Sequence, residues 1–179
     1  MSSSRDKLDS LYVIFRGMIR EEIDSTPGFR ELTGRSDFPA NVEAERAILG
    51  AIMLDNAALD EAKDLMADDY SLDSHRRIFL AMDDLRKAEN TVDIVTLPNH
   101  LGDAKDIGGV AYLASLTEGL PRRPVIAEYI RIVKEKAKLR RIIGGCEAAI
   151  KACMSQETSA SEIVGKLGTD LSGIRKVGK

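Results

Sequence analysis

The chain is 179 residues long, 44% hydrophobic and 31% charged, with aromatics at 4% and no tryptophan. These figures exclude wholesale disorder and point to one compact domain, or a small domain with an appendage, around an aliphatic core. A net charge of −3 excludes a protein wrapped in nucleic-acid phosphate, though not a local basic patch.

Ala, Leu, Ile, Glu, Lys and Arg dominate outside the loops, which favours an all-α protein. No apolar run approaches the ~18 residues that would span a membrane, and the N-terminus lacks a secretory pattern. A soluble, cytoplasmic protein with no membrane partner is expected.

In chain order, residues 6–23 set Leu8, Leu11, Tyr12, Phe15, Met18, Ile19 and Ile23 on one helical stripe, stopped by Ser-Thr-Pro-Gly at 25–28. A linker follows, and residues 1–36 read as an N-terminal extension. Asn41 is a cap residue ahead of VEAERAILGAIMLD. Acids in its first turn suit a helix start, and Val42, Ile48, Leu49 and Ile52 supply its apolar face. Short helices are expected in NAALDEAKDLM, DSHRRIFLAMDDLRKA, DIVTLPNHLGD and GGVAYLASLTEG, with Ile78, Phe79, Met82 and Leu85 turned inward. Residues 37–121 thus read as a small helical head.

After LPRRP the pattern lengthens. Val125, Tyr129, Ile132, Leu139, Ile143, Cys146, Ile150 and Cys153 recur at alternating steps of four and three, with Lys136 in the one polar slot. Such a seam, kept over about four heptads, signals helix packed on helix. Ser155–Ser161 interrupts it, and a second helix follows with Ile163, Leu167, Leu171 and Ile174 on its face. Residues 122–179 therefore read as a long antiparallel helical hairpin. The two cysteines are seam hydrophobes rather than a disulfide or zinc pair. Folding near residue 157 sets Gly144 and Gly145 opposite Gly168, where close approach of the two backbones is expected. A hairpin alone cannot bury a stripe this long, so Val125, Tyr129, Ile132, Leu139, Ile143, Cys146 and Ile150 are expected to meet a second copy.

No catalytic, cofactor-binding or metal-ligating residues are expected. The sequence contains no G-x-x-x-x-G-K-[ST] string to cradle a triphosphate. His75 and His100 stand apart, without ligand spacing, and His75 beside Arg76 and Arg77 reads as a surface or capping residue. The pairs Asp68–Asp69 and Asp83–Asp84 read as solvated faces and caps; a small hydrolase using them is the enzyme alternative. Between Arg122 and Lys151, nine bases stand against three acids, an excess that suits a solvated face, an acidic partner surface or the phosphate backbone.

Five segments in order, FPANVEAERAILGAIMLD, DSHRRIF, VDIVTLPNHL, IGGVAYLASLTEGLP and AEYIRIVKEKAKLRRII, resemble the N-terminal domain of the DnaB-type replicative DNA helicase over roughly Phe38 to Arg175. The resemblance implies a helical head and hairpin, with hairpins pairing between subunits. It implies a collar, a trimer of dimers, above a ring of RecA-like ATPase domains where ATP and Mg act. That collar docks the C-terminal domain of primase, and Glu43 in V-E-A-E and Tyr112 in G-G-V-A-Y-L carry over to the docking segments. A non-catalytic role in DNA replication follows, with the motor outside these residues, weak or no direct DNA binding, and a helicase loader as a further candidate partner. The alternative is a free-standing regulator, loader or inhibitor, that resembles the collar and binds a helicase.

Overall fold

A computed structural model describes residues 38–102, 107–121 and 125–176, and Pro39–Lys179 form one compact unit. The helix expected at 6–23, its stop at 25–28, the linker up to residue 37 and the Arg122–Arg123 pair lie outside the described residues. Every regular element among the described residues is helical: α1 (Val42–Leu54), α2 (Ala58–Glu61), a 3-10 turn (Ala67–Asp69), α3 (Asp73–Lys87), α4 (Thr96–Leu101), α5 (Gly109–Ser115), α6 (Ala127–Ser155) and α7 (Ala160–Lys176). The first five helices build the head and the last two the antiparallel hairpin, which is the expected all-α class.

Helix α1 begins where the Asn41 side-chain oxygen accepts from the Ala44 N–H at 3.0 Å. Glu43 and Glu45 sit against the positive end of its dipole. It is the central helix of the head, with Ala44, Ile48, Leu49, Ala51 and Ile52 all buried. A Cβ at Gly50 would overlap the Leu116 backbone carbonyl, so α1 and the end of α5 touch backbone to backbone. Asn56 ties the end of α1 to the segment before α4. Its Nδ2 donates to the carbonyls of Ile52 and Val92, and its Oδ1 accepts from the Val92 N–H. The Asp93 carboxylate then opens α4 by accepting from the N–H groups of Thr96 and Val95, which holds its carboxyl below the ordinary range.

Helix α3 buries the four expected residues, Ile78, Phe79, Met82 and Leu85. Tyr70 closes the core with its ring 5.1 Å from Phe79 and edge-on to His75. Each fully buried aliphatic side chain in this cluster stabilises the head by about 1.5–3 kcal/mol.

Helix α6 has 29 residues and is ~44 Å long. Its first half, with Ile126 just ahead of it, lies on the head through Ile130 and Val133, and Ala137 is buried on the same stripe. This stripe runs one residue on from the seam, ~100° further round the helix. Both stripes keep the same four-three spacing, so periodicity does not separate them. The second half of α6 pairs with α7. Gln156 ends α6 with a left-handed φ of 57°. Ser159 and Glu162 then open α7 as a capping box: the Glu162 N–H donates to Ser159 Oγ at 3.3 Å, and the Ser159 N–H donates to Glu162 Oε2 at 3.1 Å.

The close approach expected at the hairpin glycines is absent. A Cβ at Gly144 or Gly168 would meet nothing within 4 Å, and one at Gly145 would lie 3.8 Å from Leu167 Cδ1, an ordinary contact. Leu167 stands between the helices and holds the backbones apart, beside a groove of about 330 Å³ floored by Ala148, Ala149 and Ala152. Among the described residues, no helix is long and apolar enough to cross a membrane.

Candidate docking and self-association surfaces

His75, expected at the surface or as a cap, is fully buried instead. It belongs to a chain of hydrogen bonds whose other members lie 30 and 37 residues away. Its Nδ1 is 2.7 Å from Glu45 Oε2, and its Nε2 is 2.6 Å from the Tyr112 hydroxyl. The Ser71 N–H donates to the second Glu45 oxygen at 2.8 Å. Burial alone would raise the Glu45 carboxyl, but hydrogen bonds from His75 and Ser71 outweigh it and leave the group below its ordinary value. Glu45 is therefore a carboxylate. A carboxylate only accepts, so the hydrogen between His75 and Glu45 sits on Nδ1, and Nε2 and the Tyr112 hydroxyl share the second hydrogen bond.

Tyr112 is half-buried on α5, its ring stacked on the His75 imidazole at 6.1 Å. The Arg46 guanidinium lies over the same ring, 5.6 Å from its centroid, and donates to the Ser115 carbonyl at 3.2 Å. Burial pushes the Tyr112 hydroxyl up; the Arg46 charge opposes this, and the carboxylates of Glu45 and Glu43 add to it. Glu43 is exposed. The Glu43 carboxylate thus acts through space on the Tyr112 hydroxyl, 69 positions further on in sequence. Sequence reasoning missed Glu45, His75 and Arg46. One signal was present: Glu45 precedes Ile48, Leu49 and Ile52 by three, four and seven, which places an acid on the apolar side of α1.

A second polar cluster joins hairpin to head. Arg140 donates to the backbone carbonyls of Pro39, at 2.7 Å, and Asp69, and Arg141 pairs with the Asp69 carboxylate. Burial lowers the Arg140 guanidinium from its ordinary value, with Glu45 opposing. Asp69 caps its own turn through the Met66 N–H at 2.9 Å, yet it is buried, so the solvated-face reading fails for it. That reading suits Asp68, which is exposed, and Asp83, which pairs with Arg86 and Lys87 near solvent.

The seam lies largely in the open. Val125 is 80% exposed, Ile150 46%, Leu139 38% and Tyr129 37%. Cys146 is exposed and Ile143 half-buried. Ile132 differs, packing against the core of the head. Much of the basic excess is engaged within the chain, through Arg131–Glu128, Lys138–Glu135 and the Arg140–Arg141 cluster.

Residues 37–135, more than half the chain, match the family model described as DnaB-like helicase N terminal domain. The chain is 40% identical over 109 residues to the replicative DNA helicase DnaB of Geobacillus stearothermophilus, covering 59% of this chain and 24% of that protein. It is 41% identical over 118 residues to the DnaB of Treponema pallidum, covering 64% and 27%. The chain thus spans about a quarter of the length of the curated relatives it matches. Among solved structures it resembles the N-terminal domain of DnaB helicase from Mycobacterium tuberculosis, with a TM-score of 0.71, 24% identity, and coverage of 76% of this chain and 99% of that one. It also resembles a DnaB-like replicative helicase described with its interactions with primase, with a TM-score of 0.61, 23% identity, and coverage of 73% and 31%. These two likenesses are of fold.

Proposed function

Since this chain belongs to the DnaB-like helicase N-terminal domain family, we propose that it acts as the non-catalytic collar of a replicative DNA helicase, joining subunits through its hairpin and docking the C-terminal domain of primase during DNA replication. The observation that carries the assembly half is the seam: Val125, Tyr129, Leu139 and Ile150 stay exposed although the head already has a buried core. Apolar surface of that extent is stabilised by meeting its like. The docking half is supported by the likeness to a helicase described with its interactions with primase. In this reading the protein works in the cytoplasm, and ATP and Mg act in the motor domain and not in these residues. A helicase loader is a second candidate partner, and direct contact with DNA is weak.

Sedimentation equilibrium from low to high micromolar concentration tests assembly, with a mass expected to climb toward a dimer and on to a trimer of dimers. A strictly monomeric mass throughout would reject it. Titration with the primase C-terminal domain tests docking, and an absence of saturable binding would reject that half alone.

A further inference from the structure

The head has a second concave surface, and none of its lining comes from α1 or α5, the helices that carry Glu43 and Tyr112. It is a notch of about 280 Å³ where α2 and the 3-10 turn meet α3. Leu65 and Phe79 belong to the buried core, whereas Met66 and Leu80, which line the same notch, are each 51% exposed. Met66 is firmly held. Its N–H donates to Asp69 Oδ2 and its carbonyl accepts from the Asp69 N–H, both at 2.9 Å. Leu80 is carried by the regular backbone of α3. Two large apolar side chains on fixed backbone offer a partner surface to bury at little ordering cost. Lys63, Asp83 and Arg86 are the charged residues of the lining. Arg86 is engaged by Asp83 at 2.6 Å and Asp60 at 3.9 Å, and Lys87 meets the other Asp83 oxygen at 2.7 Å. Lys63 is exposed and makes no ion pair among the described residues.

We propose that this notch docks an amphipathic helix of a partner protein, which sets a large apolar side chain between Met66 and Leu80 and a carboxylate against Lys63. The volume falls just below the ~300–1,000 Å³ of small-molecule sites and suits one or two side chains. A helix is the fitting form because every element among the described residues is helical, with no strand edge to extend. An acid is selected because Lys63 is the lining charge left without a counter-ion, while the Asp83 carboxylate already has two cations. Asp64 and Asp68, both exposed, stand two positions either side of Met66. They repel an acidic run, so the partner carries one placed carboxylate. The inference does not depend on the primase docking proposed above.

The test uses the intact chain, methyl-labelled at Met and Leu, and two synthetic peptides as probes. One is a helix former of about 15 residues with Leu and Phe on one stripe and a single Glu beside it; its twin has Lys in place of that Glu. In an NMR titration the Met66 and Leu80 methyls should shift saturably, with the Glu peptide bound about fivefold more tightly than its twin. Lys63→Glu should reverse the order of the two peptides, which general stickiness would not do. Leu80→Ser should weaken both by about tenfold while the denaturation midpoint stays in place. No saturable shift of either methyl up to millimolar peptide overturns the proposal, and so do equal affinities that Lys63→Glu leaves equal. A fall in sedimentation mass in Leu80→Ser would make the notch a contact between copies and overturn it as well.

Discussion

Glu45 holds a negative charge where water does not reach it, and its neighbours decide whether that helps or harms the fold. An ionised carboxylate without hydrogen bonds would be costly at such a position, so the Ser71 N–H and the His75 imidazole convert a liability into a fixed point. Its value in the folded protein lies below the ordinary 4.5. The stability it contributes is therefore complete above that pH and is lost as pH falls through the folded value. Glu45→Gln should lower unfolding stability by about 1–3 kcal/mol at neutral pH, read from denaturant midpoints. The difference from the parent should shrink as the solution is acidified below 4.5. A difference that is flat with pH would show that the charge of Glu45 contributes nothing. At this scale the sequence is a poor guide. Glu43 and Tyr112 stand out by motif alone, and His75 looks solitary because its partners arrive from other helices.

At the scale of the helices, two sets of glycines that look alike in sequence do opposite things. Gly50 lies where α1 and the end of α5 meet, with no room for a methyl group, so Gly50→Ala should lower stability by about 1–3 kcal/mol through overpacking. Gly144 faces open space inside α6, so Gly144→Ala should raise stability by up to about 1 kcal/mol through helix propensity. Chemical denaturation at a concentration where the chain is monomeric checks both, and equal losses at the two sites would contradict the packing described. Most helices were legible from the caps and the apolar spacing: Asn41 opens α1, and α3 turns in the four residues its pattern marks. The face α6 gives to the head was not. Ala137 is small, and Arg140 and Arg141 look like solvent residues until Pro39 and Asp69 fold against them. The short helices were legible in place but not in length. The four residues of α2, for instance, end where the chain turns to bury Ala62 and Leu65.

For the whole molecule, the division of α6 into two stripes allows assembly to be altered without touching the core. Leu139 and Ile150 both lie on the open stripe. Leu139→Glu combined with Ile150→Glu should weaken self-association at least about tenfold while leaving the denaturation free energy within about 0.5 kcal/mol, as for surface changes generally. Sedimentation and denaturation on the same samples give both numbers, and loss of folding together with association would mean that the stripe belongs to the core. The attachment of α6 to the head has a mechanical consequence. Arg140 and Arg141 grip Pro39, just ahead of α1, and Asp69, two residues before the Ser71 N–H that holds Glu45. Some 20 Å of α6 extends past that grip. The helix is thus pinned near its middle to the two backbone segments, before α1 and at the end of the 3-10 turn, that flank the buried Glu45.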